Sequence, residues 1–179
     1  MKPSKHMITI FAFSTGLFWF SLYAYVPELS TYAESLGASY KLIGLITGSY
    51  GLTQLLLRIP LGIVSDLLGR RKPFILMGLV VAIISSLITF INPSASSLLI
   101  TRLLAGVSAA TWVVFTVLFS GYFHEKEATK SVGYINSYNA LGQLTSMILG
   151  GIISWRFGPR YLFLLALIGA LIGFVIALF

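Results

Sequence analysis

The sequence predicts an all-α membrane protein with six transmembrane helices, and its composition and apolar runs carry that prediction. Hydrophobic residues make up 57% of the 179 positions and charged residues 9%, whereas soluble domains carry about 25% charged residues. A helix needs roughly 20 apolar residues to cross a hydrocarbon core about 30 Å thick. Six runs of that length follow one another along the chain. These features exclude a soluble enzyme, a disordered tail and a collagen-like rod.

The six predicted spans are separated by short connections. They cover residues 7–27, 40–65, 73–92, 98–121, 132–154 and 161–179. The first run has 21 residues and no A-x-A cleavage site after it, so we predict a span and not a signal peptide. Asp66 ends the second run, and Pro73 suits the first turn of the third. Because no soluble domain remains, the chain is predicted to form a single unit over residues 1–179.

The basic residues between the runs predict the orientation, because Lys and Arg are retained preferentially in short cytoplasmic loops. Seven lie on the side of the N-terminus: Lys2, Lys5, Arg70, Arg71, Lys72, Lys126 and Lys130. The other side carries Arg156 and Arg160, with Lys41 at the boundary. We therefore predict a multi-pass plasma-membrane protein with a cytoplasmic N-terminus. The net charge of +7 is scattered between apolar runs, which favours anionic lipid head groups over nucleic acid as partners.

Polar side chains inside the spans are the candidate cavity or coupling positions. They are Gln54, Arg58, Arg102, Asn136, Asn139 and Gln143. A central arginine costs roughly 3 kcal/mol on insertion scales, so such residues normally face a bundle interior or a water-filled cavity. Alternatives stay open at this point. Both arginines can snorkel to a nearby surface, Arg102 can pair with Glu28, and the amides can serve interhelical packing.

Side chains for metal binding or covalent chemistry are missing from the predicted spans. The sequence has no Cys, its His6 and His124 lie far apart, and no Asp or Glu falls within a span. We therefore expect no metal, no cofactor and no enzymatic activity, since an intramembrane hydrolase needs a Ser–His pair or paired Asp residues in the membrane. A proton-coupling carboxylate would have to be Glu28 or lie outside this chain.

The connection between the second and third spans carries the most specific motif. Gly62 can admit a neighbouring helix, and Asp66 can accept hydrogen bonds from a helix N-terminus. Gly69 permits a tight turn, and Arg70 and Arg71 hold the loop in the cytoplasm. With this spacing, the loop resembles the signature between helices two and three of the major facilitator superfamily. That signature reads Gly, three residues, Asp, a basic residue, any residue, Gly and two basic residues.

Two further segments are similar to patterns of the same family. The fourth span has Arg102, three residues, Gly106, two residues and two Ala. The fifth has glycines at Gly133, Gly142, Gly150 and Gly151, which are expected to serve helix packing as in the family's antiporter motif. The chain departs from the family at Leu67, where a basic residue is usual, and at Ser146-Met147, which replaces a Gly-Pro pair.

The resemblance implies the N-terminal half of a twelve-helix fold, built from two inverted three-helix repeats. It also implies a secondary active transporter of a small solute that works by alternating access, with proton-coupled efflux as the commonest activity. Gly62, Asp66, Gly69, Arg70 and Arg71 would form a conformational latch against the other half. The sixth run ends at Phe179 without a basic anchor, so a C-terminal half is expected to be missing. That half or a second copy would be the partner, and the alternative is a truncated or non-transporting membrane subunit.

Overall fold

The computed structural model describes residues 5–179, without the side chains of Lys5 and Glu125, and Lys2 of the charge count lies outside it. The helices are α1 (Lys5–Tyr23), α2 (Leu29–Ser35), α3 (Tyr40–Leu68), α4 (Lys72–Ile91), α5 (Ala95–Ala110), α6 (Trp112–Ser120), α7 (Ala128–Phe157) and α8 (Arg160–Leu178), with a 3-10 turn at Glu125–Glu127. No strand forms within this range, so the all-α prediction is confirmed.

Within residues 5–179, five helical segments are long and apolar enough to cross a membrane. They are His6–Tyr23, Tyr40–Leu68, Lys72–Ile91, Ala95–Ser120 and Arg160–Leu178, and they coincide with five of the predicted spans. α7 has 30 residues, but its three amides make it less apolar than the other helices, so a sixth crossing stays a prediction. The sequence did not predict α2, because its seven residues are too few to form a hydrophobic run.

The fourth apolar run forms two helices, because the α-helical hydrogen-bond ladder is interrupted at Thr111. The Thr111 amide donates to the Ser108 carbonyl at 3.0 Å, and the Val114 amide donates to the Thr111 carbonyl at 2.8 Å. Both bonds span three residues and tighten the turn. The Thr111 side chain fills a notch at Gly78 of α4, where a Cβ would overlap with its hydroxyl. α5 and α6 therefore form one crossing that is tightened where it contacts α4.

The helices contact one another in a regular pattern. α1 packs against α7 and α8, α5 packs against α3 and α4, and α4 packs against α8. These main contacts are unchanged when α1, α3 and α4 are exchanged for α5, α7 and α8, as two inverted repeats would require. The lesser α7–α8 and α1–α4 contacts have no counterpart of similar extent.

Hydrogen bonds at the helix ends show the antiparallel order. Lys72 Nζ donates to the Leu178 carbonyl at 2.5 Å, at the end of the bundle where α1 begins. Arg160 Nε donates to the Phe90 carbonyl at 2.8 Å, at the opposite end. We call these two ends the N-terminal end and the α2 end.

Aromatic side chains fill the core between these ends. Trp19 and Trp112 meet edge to face with ring centroids 5.3 Å apart, and Phe18 lies 4.7 Å from Phe115. Nearer the α2 end, the Tyr25 ring stacks on Phe163 at 4.7 Å. The two deep tryptophans therefore serve core packing, which joins α1 to α5 and α6.

Glycines let the backbones of neighbouring segments touch at three points. A Cβ at Gly142 of α7 would overlap with the carbonyl group of Gly16 on α1, and one at Gly150 would overlap with the carbonyl of Ala24, directly after α1. A Cβ at Gly106 of α5 would overlap with the Tyr50 carbonyl of α3. Small residues thus bring α1 to α7 and α3 to α5 at backbone contact, the usual way in which helices associate in lipid.

Other glycines of the predicted packing motif lie on open surface. A Cβ at Gly133 or Gly151 of α7 would meet nothing within 4 Å, and the same holds for Gly48 and Gly51 of α3. Close packing at Gly133 and Gly151 therefore does not occur within the described chain, because both positions point away from α1. Any helix that packs there must come from outside it.

We predict that Gly142→Ala lowers the free energy of unfolding by about 1–3 kcal/mol, since the new Cβ meets backbone that cannot turn aside. Gly151→Ala is the matched control on the same helix and should be neutral or slightly stabilising, because alanine has the higher helix propensity. Thermal unfolding of the purified variants in detergent measures both. Equal stability of the two variants would contradict the close α1–α7 contact.

Candidate functional site

The loop between α3 and α4 forms a compact turn around Gly69. Gly69 has φ of +59°, a conformation that favours glycine, and its amide donates to the Asp66 carbonyl at 3.2 Å. Arg71 Nη2 donates to the Asp66 carboxylate at 3.2 Å, and the two side chains are 32% and 64% exposed. An exposed ion pair contributes about 1 kcal/mol or less, so it can break without loss of the fold.

The other residues of the motif are less constrained by the described chain. A Cβ at Gly62 would lie 3.6 Å from the Val113 side chain, which is ordinary contact, so this neighbour does not require glycine. Arg70 is exposed. Asp66 meets Arg71 in this chain, so its contact with a helix N-terminus of another half stays a prediction.

Arg102 lies inside the protein, two turns into α5. The predicted span began at residue 98, but α5 begins at Ala95, which places Arg102 one turn deeper. Its side chain is 5% exposed, and the Tyr50 ring covers the guanidinium with the centroid 4.3 Å from Cζ. The Tyr25 ring centroid lies 6.0 Å away. Snorkelling of Arg102 to the membrane surface is therefore wrong, because aromatic side chains of α3 and of the α1–α2 connection enclose it.

The polar residues of α3 split between a packed face and an open one. Gln54 is half-buried, and its Nε2 donates to the Ala109 carbonyl of α5 at 3.5 Å, beside the Gly106 crossing. Arg58, one turn further along, is exposed. Gln54 therefore contributes to helix packing, whereas Arg58 lies on the outer surface of the bundle.

The amides of α7 border the contact with α1. Asn139 and Gln143 are half-buried, and Gln143 Nε2 donates to Asn139 Oδ1. Asn136 is exposed. Ser146, in the same predicted stripe, is fully buried against α1. The structure thus brings Asn139 and Gln143 together along one edge of α7 and leaves Asn136 on the open surface.

Glu28 is bound by α7 and not by Arg102. Ser154 Oγ donates to Glu28 Oε2 at 2.6 Å, which ties the connection after α1 to the α2 end of α7. Pairing between Glu28 and Arg102 is therefore wrong for this structure. Among the described residues, no group of three or more His, Cys, Asp and Glu is arranged to hold a metal ion.

Two residues of this region escaped the sequence analysis. Ser154 continues the line of Ser146 and Gly150 at intervals of four, so helical spacing could have found it. Tyr50 gives no such signal, because its contact with Arg102 joins α3 to α5 and depends on the Gly106 crossing. The amide stripe and Arg102 were recognisable because polar groups in an apolar run are rare.

Comparison with known proteins places the chain in a family. A protein-family model described as the Major Facilitator Superfamily matches residues 11–179. The inner membrane transport protein YajR of Escherichia coli is 35% identical over 158 residues, which cover 88% of this chain and 34% of YajR. The multi-drug resistance efflux pump PmrA of Streptococcus pneumoniae is 28% identical over 165 residues, which cover 90% of this chain and 41% of the pump.

A solved structure has the same fold. The human organic anion transporter MFSD10 (TETRAN) superposes with a TM-score of 0.79 at 20% identity, over 99% of this chain and 48% of that chain. The chain spans 34% and 41% of the length of the two relatives named above, so its match ends well short of their full length.

We predict that Ser154→Ala lowers the free energy of unfolding by about 1–2 kcal/mol, because the part-buried Glu28 carboxylate loses a donor. Ser137→Ala is the matched control on α7, since Ser137 is exposed and donates only to the Gly133 carbonyl of its own helix. Thermal unfolding in detergent compares the two variants. If Ser154→Ala is as stable as the control, the bond to Glu28 does not hold α7 in place.

Proposed function

Because this chain belongs to the Major Facilitator Superfamily, we propose that it forms one wall of a transporter that moves a small solute across a membrane by alternating access. The match of the family model over residues 11–179 carries this proposal. The turn at Gly69 and the exposed Asp66–Arg71 pair support it, because they fall after the second crossing, where the family signature belongs. Relatives named as transporters agree with this class of activity.

We propose that the unit is built from two inverted repeats and rocks as one body. The support is the symmetric contact pattern, in which α1 and α5 occupy equivalent central positions and α4 meets α8. α3 and α7 occupy the other pair of equivalent positions, and both carry exposed polar residues and glycines. These two helices are the surfaces that would meet a partner.

The partner in this proposal is a second six-helix half, supplied by a longer chain or by another copy of this one. Three residues on α3 and α7 fit a role at that surface: Arg58 and Asn136 are exposed, and Gly51 leaves room for a close helix. The N-terminal end of the bundle, which carries Arg70, Arg71 and Lys72, would face the cytoplasm of a cell whose plasma membrane holds the protein. Efflux is the direction we propose, since one relative is named as an efflux pump.

Asp66 would hold the outward-facing state by meeting a helix N-terminus of the partner half. The Asp66–Arg71 pair fits this role because both side chains are partly exposed and the pair is weak enough to exchange. A carboxylate at a helix N-terminus is worth about 1 kcal/mol, which shifts a two-state population about fivefold. A shift of about fivefold is enough to make the outward-facing state the more populated one in the absence of solute.

We predict that Asp66→Asn shifts the protein towards the inward-facing state about fivefold and reduces transport without blocking membrane insertion. Single cysteines at Asn136, near the N-terminal end, and Thr47, near the α2 end, report the change by their rates of alkylation. The 179 residues contain no native Cys that would interfere. Residue 136 should react faster from the cytoplasmic side and residue 47 more slowly from outside.

Glu34→Gln is the control for this measurement, because Glu34 is an exposed carboxylate at the opposite end of the bundle. It should leave both alkylation rates unchanged. Rates in Asp66→Asn that match the unmodified protein would refute the latch. Alkylation from one side only, under every condition and in every variant, would refute alternating access itself.

A further inference from the structure

Arg102 is a buried cation whose counter-charge does not belong to the described chain. Its side chain is 5% exposed, and neither Nε nor Nη1 has a hydrogen-bond partner. The Tyr50 ring at 4.3 Å offers a cation–π contact, which attracts the charge but accepts no hydrogen bond in the guanidinium plane. A charge removed from water without a partner is costly, so an acceptor is expected to reach it at some stage.

A hydroxyl beside Arg102 is also buried without a hydrogen-bond partner. The Tyr25 hydroxyl lies near the guanidinium and the Ser85 hydroxyl, yet it forms no hydrogen bond of good geometry. The Trp19 indole N–H of α1 is also buried and unpaired, within the Trp19–Trp112 contact of the core. In the described part of the chain, these two atoms and the two Arg102 nitrogens are the buried side-chain polar atoms without a partner. The Arg102 nitrogens and the Tyr25 hydroxyl can all donate, and unmatched donors beside a cation fit an anion.

The carboxylates of the described chain are committed elsewhere. Glu28 accepts from Ser154, and Asp66 is bound to Arg71 at the opposite end of the bundle. Glu34 and Glu127 have exposed side chains. None of them can neutralise Arg102 without leaving its place.

We infer that Arg102 and Tyr25 bind the carboxylate of an organic anion, with the Tyr50 ring against the guanidinium face and aromatic side chains beside it. The planar guanidinium suits a carboxylate, and aromatic walls suit an apolar body attached to it. The assignment of this anion as the transported solute rests on the proposed function, whereas binding of the anion can be measured by itself. Tyr50 is half-buried and must turn aside to admit the ligand.

A mobile solute fits this position better than a side chain from another half. The Tyr50 and Tyr25 rings lie against the buried Arg102, and α3 and α5 touch at the neighbouring Gly106 crossing. A carboxylate side chain on a helix of another half would have to reach past the α3–α5 contact while the backbone of that helix stays outside the bundle. A small anion carries no such tether.

The test is equilibrium binding of radiolabelled benzoate to the purified full-length protein in nanodiscs, with benzamide as the neutral isostere. Benzoate should bind and benzamide should not compete. Arg102→Gln should weaken benzoate binding at least about tenfold, because a charge-assisted bond is lost. Arg156→Gln is the matched control, since Arg156 is an exposed arginine near the end of α7, and it should bind benzoate like the unmodified protein.

Tyr25→Phe keeps the inference testable if Arg102→Gln fails to fold. It removes one hydroxyl and retains the ring that stacks on Phe163, so binding should weaken a few-fold, whereas Tyr32→Phe should have no effect. Absent benzoate binding, equal binding of benzamide, or indifference to both variants would overturn the anion site. If the cysteines show alternating accessibility but benzoate binds equally well without Arg102, the anion site is overturned and the transport proposal stands. If benzoate binding depends on Arg102 but the cysteines show no alternating accessibility, the transport proposal is overturned and the anion site stands.

Discussion

Backbone contact between helices is the constraint on which the rest of the structure depends. Lipid tails are as apolar as leucine, so burial of hydrocarbon gives these helices little reason to associate. They gain instead from close approach, which requires residues without a side chain at the crossing. Gly142 allows it between α1 and α7, Gly150 allows it between α7 and the connection after α1, and Gly106 allows it between α3 and α5. Those contacts fix which face of each helix is buried and which remains open.

The same contacts place a charge where it has no counter-charge. The Gly106 crossing brings Tyr50 over Arg102, because the two helices touch one turn away along α5. Packing therefore selects the surroundings of the arginine: aromatic faces and unpaired donors in place of a carboxylate. An arrangement of this kind costs stability, and such costs are usual where a protein must bind something that it does not itself contain.

The connections at the two ends of the bundle differ in kind. At the N-terminal end, Asp66 and Arg71 form an exposed pair on a turn that Gly69 makes possible. At the α2 end, Glu28 is held by Ser154 at 2.6 Å, and Arg160 binds the Phe90 carbonyl. The loop that carries the family signature is therefore held by an exposed ion pair, beside the bond from Lys72 to the Leu178 carbonyl. An exposed ion pair suits the N-terminal end, where Asp66 is proposed to exchange Arg71 for a helix N-terminus of the partner half.

The sequence allowed the fold class and most helix positions to be predicted, because span length depends only on the thickness of the membrane and on runs of apolar residues. It did not reveal α2 or the break at Thr111, since both depend on contacts with other helices. Arg102 and the amides of α7 were found as rare polar groups in apolar runs. Their surroundings were not, because Tyr50 and Ser154 reach them from distant parts of the chain. Gly133 and Gly151 could not be told from Gly142 by spacing alone, and the structure separates them by what each one faces.

The central claim is that these helices form one rigid wall that moves against a partner half. Pulsed electron paramagnetic resonance on the full-length protein measures it directly, with spin labels at Leu67 and Lys126, both exposed at the N-terminal end. A second pair joins Leu67 to a site on the partner half at the same membrane surface. The account predicts one unchanging distance for the first pair and two populations for the second. A single fixed distance for the second pair, or two populations for the first, would contradict it.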